Sequence, residues 1–73
     1  MNRIGALGAA VDVDGFALAG ALVFAAENDG DIDVMWDALP DDVGVLLLTT
    51  RAARRLASRL AERPLVLTVV MPR

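Results

Sequence analysis

The chain contains no cysteine, histidine or tyrosine, and all seven of its basic residues are arginine, so lysine is missing too. Those gaps remove most of the side chains that act as general bases or nucleophiles near neutral pH. Without cysteine there is no disulfide and no thiolate metal site to supplement the core. Aromatic residues make up only 4% of the chain, namely Phe16, Phe24 and Trp36. The longest apolar stretch, Gly15 to Ala26, falls well short of the roughly 20 residues a membrane-spanning helix needs. Asp12 and Asp14 interrupt any N-terminal run that would read as a signal peptide, so the expected compartment is the cytoplasm.

What is present is apolar and small. The 73 residues are expected to form one domain, 1–73, near the lower size limit for independent stability. An apolar fraction of 56% leaves little polar surface and points to a partner, although an alanine- and arginine-rich genome accounts for part of it. The net charge of −3 divides unevenly. Residues 1–50 hold nine acids and one arginine, a net of −8, and residues 51–73 hold six arginines and one acid, a net of +5. An acidic chain of this kind is not expected to bind nucleic acid.

The organising stretch is Val43-Gly44-Val45-Leu46-Leu47-Leu48-Thr49. A short apolar run without alternation predicts a strand buried on both faces, which needs helices above and below it. Arg3 to Gly8 reads as a first strand, with Gly5 and Gly8 allowing close approach. Ala9 to Asp14 reads as a loop, and Asp12 or Asp14 as the cap of a helix over Val13 to Ala19 that stops at Gly20. Ala21 to Ala26 is a second strand. Asp31 or Asp33 is expected to cap a short helix ending at Leu39, with Ile32, Met35, Trp36 and Leu39 on one face. Thr49 or Thr50 caps a helix from Arg51 to Glu62, with Ala53, Leu56, Ala57 and Leu60 inward and Arg51, Arg55 and Arg59 outward. Leu65 to Met71 is the fourth strand, after Pro64.

This alternation predicts an α/β fold: a small doubly wound, four-stranded parallel sheet, flavodoxin-like, in strand order 2-1-3-4 with three helices. In that winding the first helix covers one face and the other two cover the opposite face. Strands three and four are then half bare, exposing on the order of 300 Å² of apolar surface for another chain or a second copy to cover.

Residues with chemical potential are few. Ser58 lies on an arginine-rich helix with no base nearby and reads as a solvated helix residue. Asp12 and Asp14 follow the first strand, where receiver domains carry an acidic metal pocket. The third strand nevertheless ends Leu48-Thr49-Thr50, without a phosphoacceptor aspartate. Gly5-Ala6-Leu7-Gly8 lacks the spacing of a dinucleotide loop, and no P-loop lysine exists. The acidic loop Glu27 to Asp33 lacks the closing glutamate of a calcium loop. Neither a cofactor nor a metal is expected. The arginine stripe is either a solvated helix face or a docking contact for an acidic partner, and Trp36 with Met35 reads as core.

Gly15-Phe16-Ala17-Leu18-Ala19-Gly20 resembles the G-F-x-L-A-G signature of the F subunit of rotary V/A-type ATPases. The opening strand Arg3 to Gly8, the six residues between Gly8 and Gly15, and the entry Asp42-Val43-Gly44 into the central strand are similar to that family. So is Pro64 to Pro72, a strand closing on an apolar residue and a proline. The resemblance implies a non-catalytic central-stalk (rotor) subunit that binds the D subunit, the coiled-coil shaft, inside the catalytic A/B hexamer. Such a protein helps couple ATP hydrolysis or synthesis to proton or sodium transport, and it meets the membrane only through the complex. On that reading Gly15, Phe16, Leu18, Ala19 and Gly20 are the expected partner contacts, with Arg51, Arg55 and Arg59 as secondary ones. Core packing of Phe16 and Leu18 against the first two strands is the structural alternative.

Three features depart from the family. Ala17 stands where it usually has arginine, and Ala9-Ala10 stand where its first loop starts acidic. The family also continues past the fourth strand into a regulatory C-terminal helix, so regulation through that helix is not carried over. The other functional reading is a stand-alone flavodoxin-like adaptor, or degenerate receiver, that homodimerises.

Overall fold

A computed structural model describes residues 2–72 of the protein. Four parallel strands, β1 (Arg3–Gly8), β2 (Leu22–Ala25), β3 (Val43–Leu48) and β4 (Leu67–Val70), form one sheet in the order β2-β1-β3-β4. Helix α1 (Ala10–Val13) and a 3-10 segment (Asp14–Ala19) join β1 to β2. Helix α2 (Asp29–Asp37) joins β2 to β3, and helix α3 (Thr50–Leu56) with a short 3-10 turn (Leu60–Glu62) joins β3 to β4. This is the expected flavodoxin-like α/β winding with three helices.

The register assigns side chains to faces. Gly5 pairs with Leu46 and Leu22, and Leu7 with Leu48 and Phe24, so these residues share one face. On it Leu7, Leu46 and Leu48 join Ile32, Trp36 and Leu39 of the α2 region and Ala52 and Leu56 of α3 in a single buried cluster. Gly5 keeps that layer tight: a Cβ there would lie 2.9 Å from the Phe24 ring and 3.2 Å from Leu46 Cδ1. At Gly8 the Thr49 side chain already occupies the space a Cβ would take.

The opposite face is thinner. Ala6 and Val13 are fully buried but stand outside the main cluster, where α1 packs on β1 and β2. Farther along this face Ile4 is 50% exposed, Leu67 62% and Val69 41%, while Val45 and Leu47 are half-buried. The expectation that β3 is buried on both faces is therefore corrected. One face is sealed by two helices, and the other lies beyond the reach of a four-residue α1.

Several boundaries also differ. The first helix starts at Ala10, inside the expected loop, and becomes a 3-10 segment at Asp14. Neither Asp12 nor Asp14 caps it; the Glu27 carboxylate accepts the Ala10 N–H at 2.8 Å. The second helix starts at Asp29, and its cap is Asn28, whose side chain accepts the Asp31 N–H at 2.8 Å. Thr49 caps the third helix by accepting from Ala52 N–H. That helix points Ala52 and Leu56 inward, whereas Ala57 is exposed. β4 begins two residues later than expected because Leu65 and Val66 belong to a turn, in which Val66 N–H donates to the Arg63 carbonyl.

Candidate docking surface

The 3-10 segment Asp14–Ala19 lies against β2 and buries none of its residues completely. Phe16 is half-buried, Gly15 and Ala19 are exposed, and Leu18 is 95% exposed. Packing of Leu18 into the core is thereby ruled out; Phe16 alone leans inward. Gly20 ends the segment in the left-handed region (φ 88°), a conformation that costs a side-chain-bearing residue and suits glycine. Its N–H donates to the Ala17 carbonyl at 3.1 Å, and Ala21 N–H donates to the Phe16 carbonyl at 3.2 Å. Gly15 has ordinary negative φ, and a Cβ there would meet no atom within 4 Å. Inside the free chain Gly15 thus answers to no packing need. Val11, 90% exposed on α1, extends the apolar surface. Between Ala10 and Ala19 the charged residues are Asp12 and Asp14, with no base.

The arginines belong to the other side of the sheet. Arg51, Arg55 and Arg59 rise along the α3 region at four-residue steps, and Asp29, Asp33 and Asp37 rise along α2 at the same steps. The two elements run parallel, as right-handed crossovers on one face require. Arg51 Nε meets Asp29 at 3.4 Å, Arg55 grips Asp33 through two bonds of 3.2 and 2.7 Å, and Arg59 meets Asp37 at 2.5 Å. Arg59 also holds Glu62 at 3.1 Å. The hydrogen bond from Arg55 lowers the pKa of Asp33, and that from Arg59, with a second from Trp36 Nε1, lowers that of Glu62. The guanidinium of Arg63 stands 5.4 Å above the Trp36 ring and donates to the Trp36 carbonyl at 2.9 Å, closing the end of the ladder. The structure therefore separates the expected contact residues into two groups on opposite faces. Sequence reasoning missed the ladder, although each arginine follows its aspartate by a constant 22 positions.

A cavity of about 420 Å³ opens at the carboxyl ends of the strands, lined in part by Asp12, Glu27, Thr49, Arg51 and Met71. Its polar groups are largely committed to the scaffold. Glu27 caps α1, Thr49 caps α3, and Arg51 donates to the Glu27 carbonyl at 3.4 Å. Asp12 lines the cavity; Asp14 does not. Among the described residues no three acidic or other ligand side chains are placed to hold a metal ion, and no helix is long and apolar enough to cross a membrane.

No protein-family model matches the sequence, and no curated protein matches it. Among solved structures, the fold is similar to that of the F subunit of the V-type ATP synthase from Archaeoglobus fulgidus, with a TM-score of 0.56 and 24% sequence identity. The similarity covers 93% of this chain and 96% of that one.

Proposed function

We propose that this protein is a non-catalytic central-stalk subunit of a V/A-type rotary ATPase, and that Gly15–Gly20 is where it grips the coiled-coil shaft. The observation that carries the reading is the exposure of Leu18, 95%, at the crest of the signature stretch. An apolar side chain held in water on a short rigid turn stabilises nothing in the free chain and gains by burial in a complex. Gly15 and Gly20 flank it without side chains, so a helix can approach the backbone closely. The likeness in fold to a rotary ATP synthase subunit, spanning nearly the whole chain, supports the same reading. The half-bare face at Ile4 offers the shaft a second apolar contact. Arg51, Arg55 and Arg59 enter as a further contact, whose partner would compete with Asp29, Asp33 and Asp37 for them. Through the shaft the protein turns inside the A/B hexamer and takes part in coupling ATP turnover to proton or sodium movement. It works in the cytoplasm, at the membrane only by way of the complex.

Co-expression with the coiled-coil stalk protein of a rotary ATPase from the same genome tests this. The two chains co-purify, and Leu18→Asp abolishes the complex. Val34→Asp, at a 61%-exposed apolar position on α2, leaves it intact. Failure of the unmodified chain to bind the shaft, or equal binding by Leu18→Asp, overturns the proposal.

A further inference from the structure

β4 is a sheet edge left open on three sides. Leu67 and Val69 are exposed on the α1 face, Val70 is 52% exposed on the other, and no further strand pairs beyond it among the described residues. Backbone alternation decides which groups lie free. Met71 N–H donates to the Leu48 carbonyl at 2.7 Å, so residues of its parity, Val69 and Leu67, turn their backbone toward β3. Thr68 and Val70 therefore turn their N–H and C=O groups outward. Proteins usually blunt such an edge with lysine, proline, a bulge or an inward charge. Leu65 to Met71 has none of these: it is uncharged, contains no proline, and pairs with β3 in unbroken register.

We infer that β4 pairs with β4 of a second copy, antiparallel about a two-fold axis through Val69, to give a continuous eight-stranded sheet. Thr68 faces Val70 of the second copy and exchanges two backbone hydrogen bonds with it; symmetry doubles these to four. Val69 meets its own counterpart at the axis, and Leu67 meets Met71, so the apolar row on the α1 face runs unbroken across the junction. A second copy fits where a helix does not, because only a strand satisfies the outward N–H and C=O groups while bringing side chains to both faces. Within the paired segment no like charges meet, since Leu65 to Met71 is neutral. The surface buried is on the order of a few hundred Å² per copy, below the roughly 800 Å² of a standard stable interface, so the dimer forms with rising concentration. The inference does not depend on the rotor reading, because β4 and the 3-10 segment lie toward opposite edges of the sheet.

Sedimentation equilibrium between about 5 μM and 500 μM, with amide hydrogen exchange at both ends of that range, tests it. The mean mass rises toward the dimer. The Thr68 and Val70 amides exchange fast when dilute and slow by about tenfold or more when concentrated, while Val69 and Met71 are protected throughout. Val70→Pro and Thr68→Pro each delete an outward donor without touching the β3 ladder, and proline is tolerated at such an edge. Both variants stay monomeric, and Val70→Pro still binds the stalk protein if the unmodified chain does. A monomer across the whole range, or a dimer whose Thr68 and Val70 amides stay fast, overturns the inference. The exchange measurement on the unmodified chain decides even where a proline variant fails to fold.

Discussion

A leucine on β3 and a leucine on β4 measure how one-sided the core is. Leu46 is fully buried in the cluster between the sheet and helices α2 and α3, whereas Leu67 is 62% exposed on the other face. Truncating a sealed leucine to alanine removes its transfer energy and leaves a cavity, at about 3 kcal/mol within a usual range of 2–5. Leu67 has only about two-fifths of its surface to lose, and full burial of a leucine contributes about 1.5–3 kcal/mol, so Leu67→Ala costs about 1 kcal/mol. A chain of this length has a total stability of about 4–11 kcal/mol. With a urea slope of about 1 kcal/mol/M, the midpoint falls by about 3 M for Leu46→Ala and about 1 M for Leu67→Ala. The readout is built in: Trp36 is the only tryptophan, is 1% exposed, and belongs to the same cluster as Leu46. Titrations at low micromolar concentration keep β4 unpaired. If Leu46→Ala is unfolded without urea while Leu67→Ala keeps a full transition, the ordering holds. Equal costs for the two would mean that Leu67 is covered in the free chain, and the picture of a half-open sheet would fail.

Acid should loosen the α2–α3 ladder. Asp33 and Glu62 have lowered pKa values in the folded chain through hydrogen bonds from Arg55 and Arg59, so their contribution is complete above the ordinary carboxylate range, roughly pH 4. It disappears as pH falls through the lowered folded values. Urea midpoints taken from pH 6 downward drop below roughly pH 4 in the native chain and drop less steeply in Arg55→Gln; superimposable profiles would contradict this. Gly15→Ala should leave the free chain unchanged or stabilise it by up to about 1 kcal/mol, since no atom opposes a Cβ and φ is ordinary there. The same substitution weakens shaft binding if close backbone approach matters. Lost stability with intact binding would reverse the assignment.

The strand order was legible because four short apolar runs alternate with helical spacing, and parallel crossovers leave few windings open. Trp36 and Leu56 were legible as core for the same reason. What escaped was set by groups distant in sequence. The first helix takes its cap from Glu27, 17 positions away, and no local pattern announces that bond. Its 3-10 continuation begins at Asp14, and along it Phe16 leans in while Leu18 stands out. The second helix began early because Asn28 bends back to the Asp31 N–H, a cap as good as the aspartates favoured from sequence. The apolar run Val45-Leu46-Leu47-Leu48 reads the same whether one or both faces are sealed. Only the helix inventory told the two apart.

Charge teaches the same lesson with the opposite sign. Along the sequence, a −8 segment precedes a +5 segment and looks like a molecule with two electrical ends. Folding lays the two against each other. Asp29, Asp33 and Asp37 meet Arg51, Arg55 and Arg59 across the two segments, while Arg3 with Asp42 and Arg59 with Glu62 pair within them. Arg51, Arg55 and Arg59 therefore meet an incoming acid with guanidiniums that already have partners, and exposed pairs of this kind add little. Asp12 and Asp14, by contrast, make no ion pair among the described residues and stand on the α1 side beside Val11 and Leu18. A partner that buries Leu18 meets an apolar crest with acidic flanks, so a shaft that brings arginine or lysine there gains in association rate and in orientation. The 3-10 segment, and not the arginine stripe that dominates the sequence, is where apolar exposure and uncompensated charge coincide.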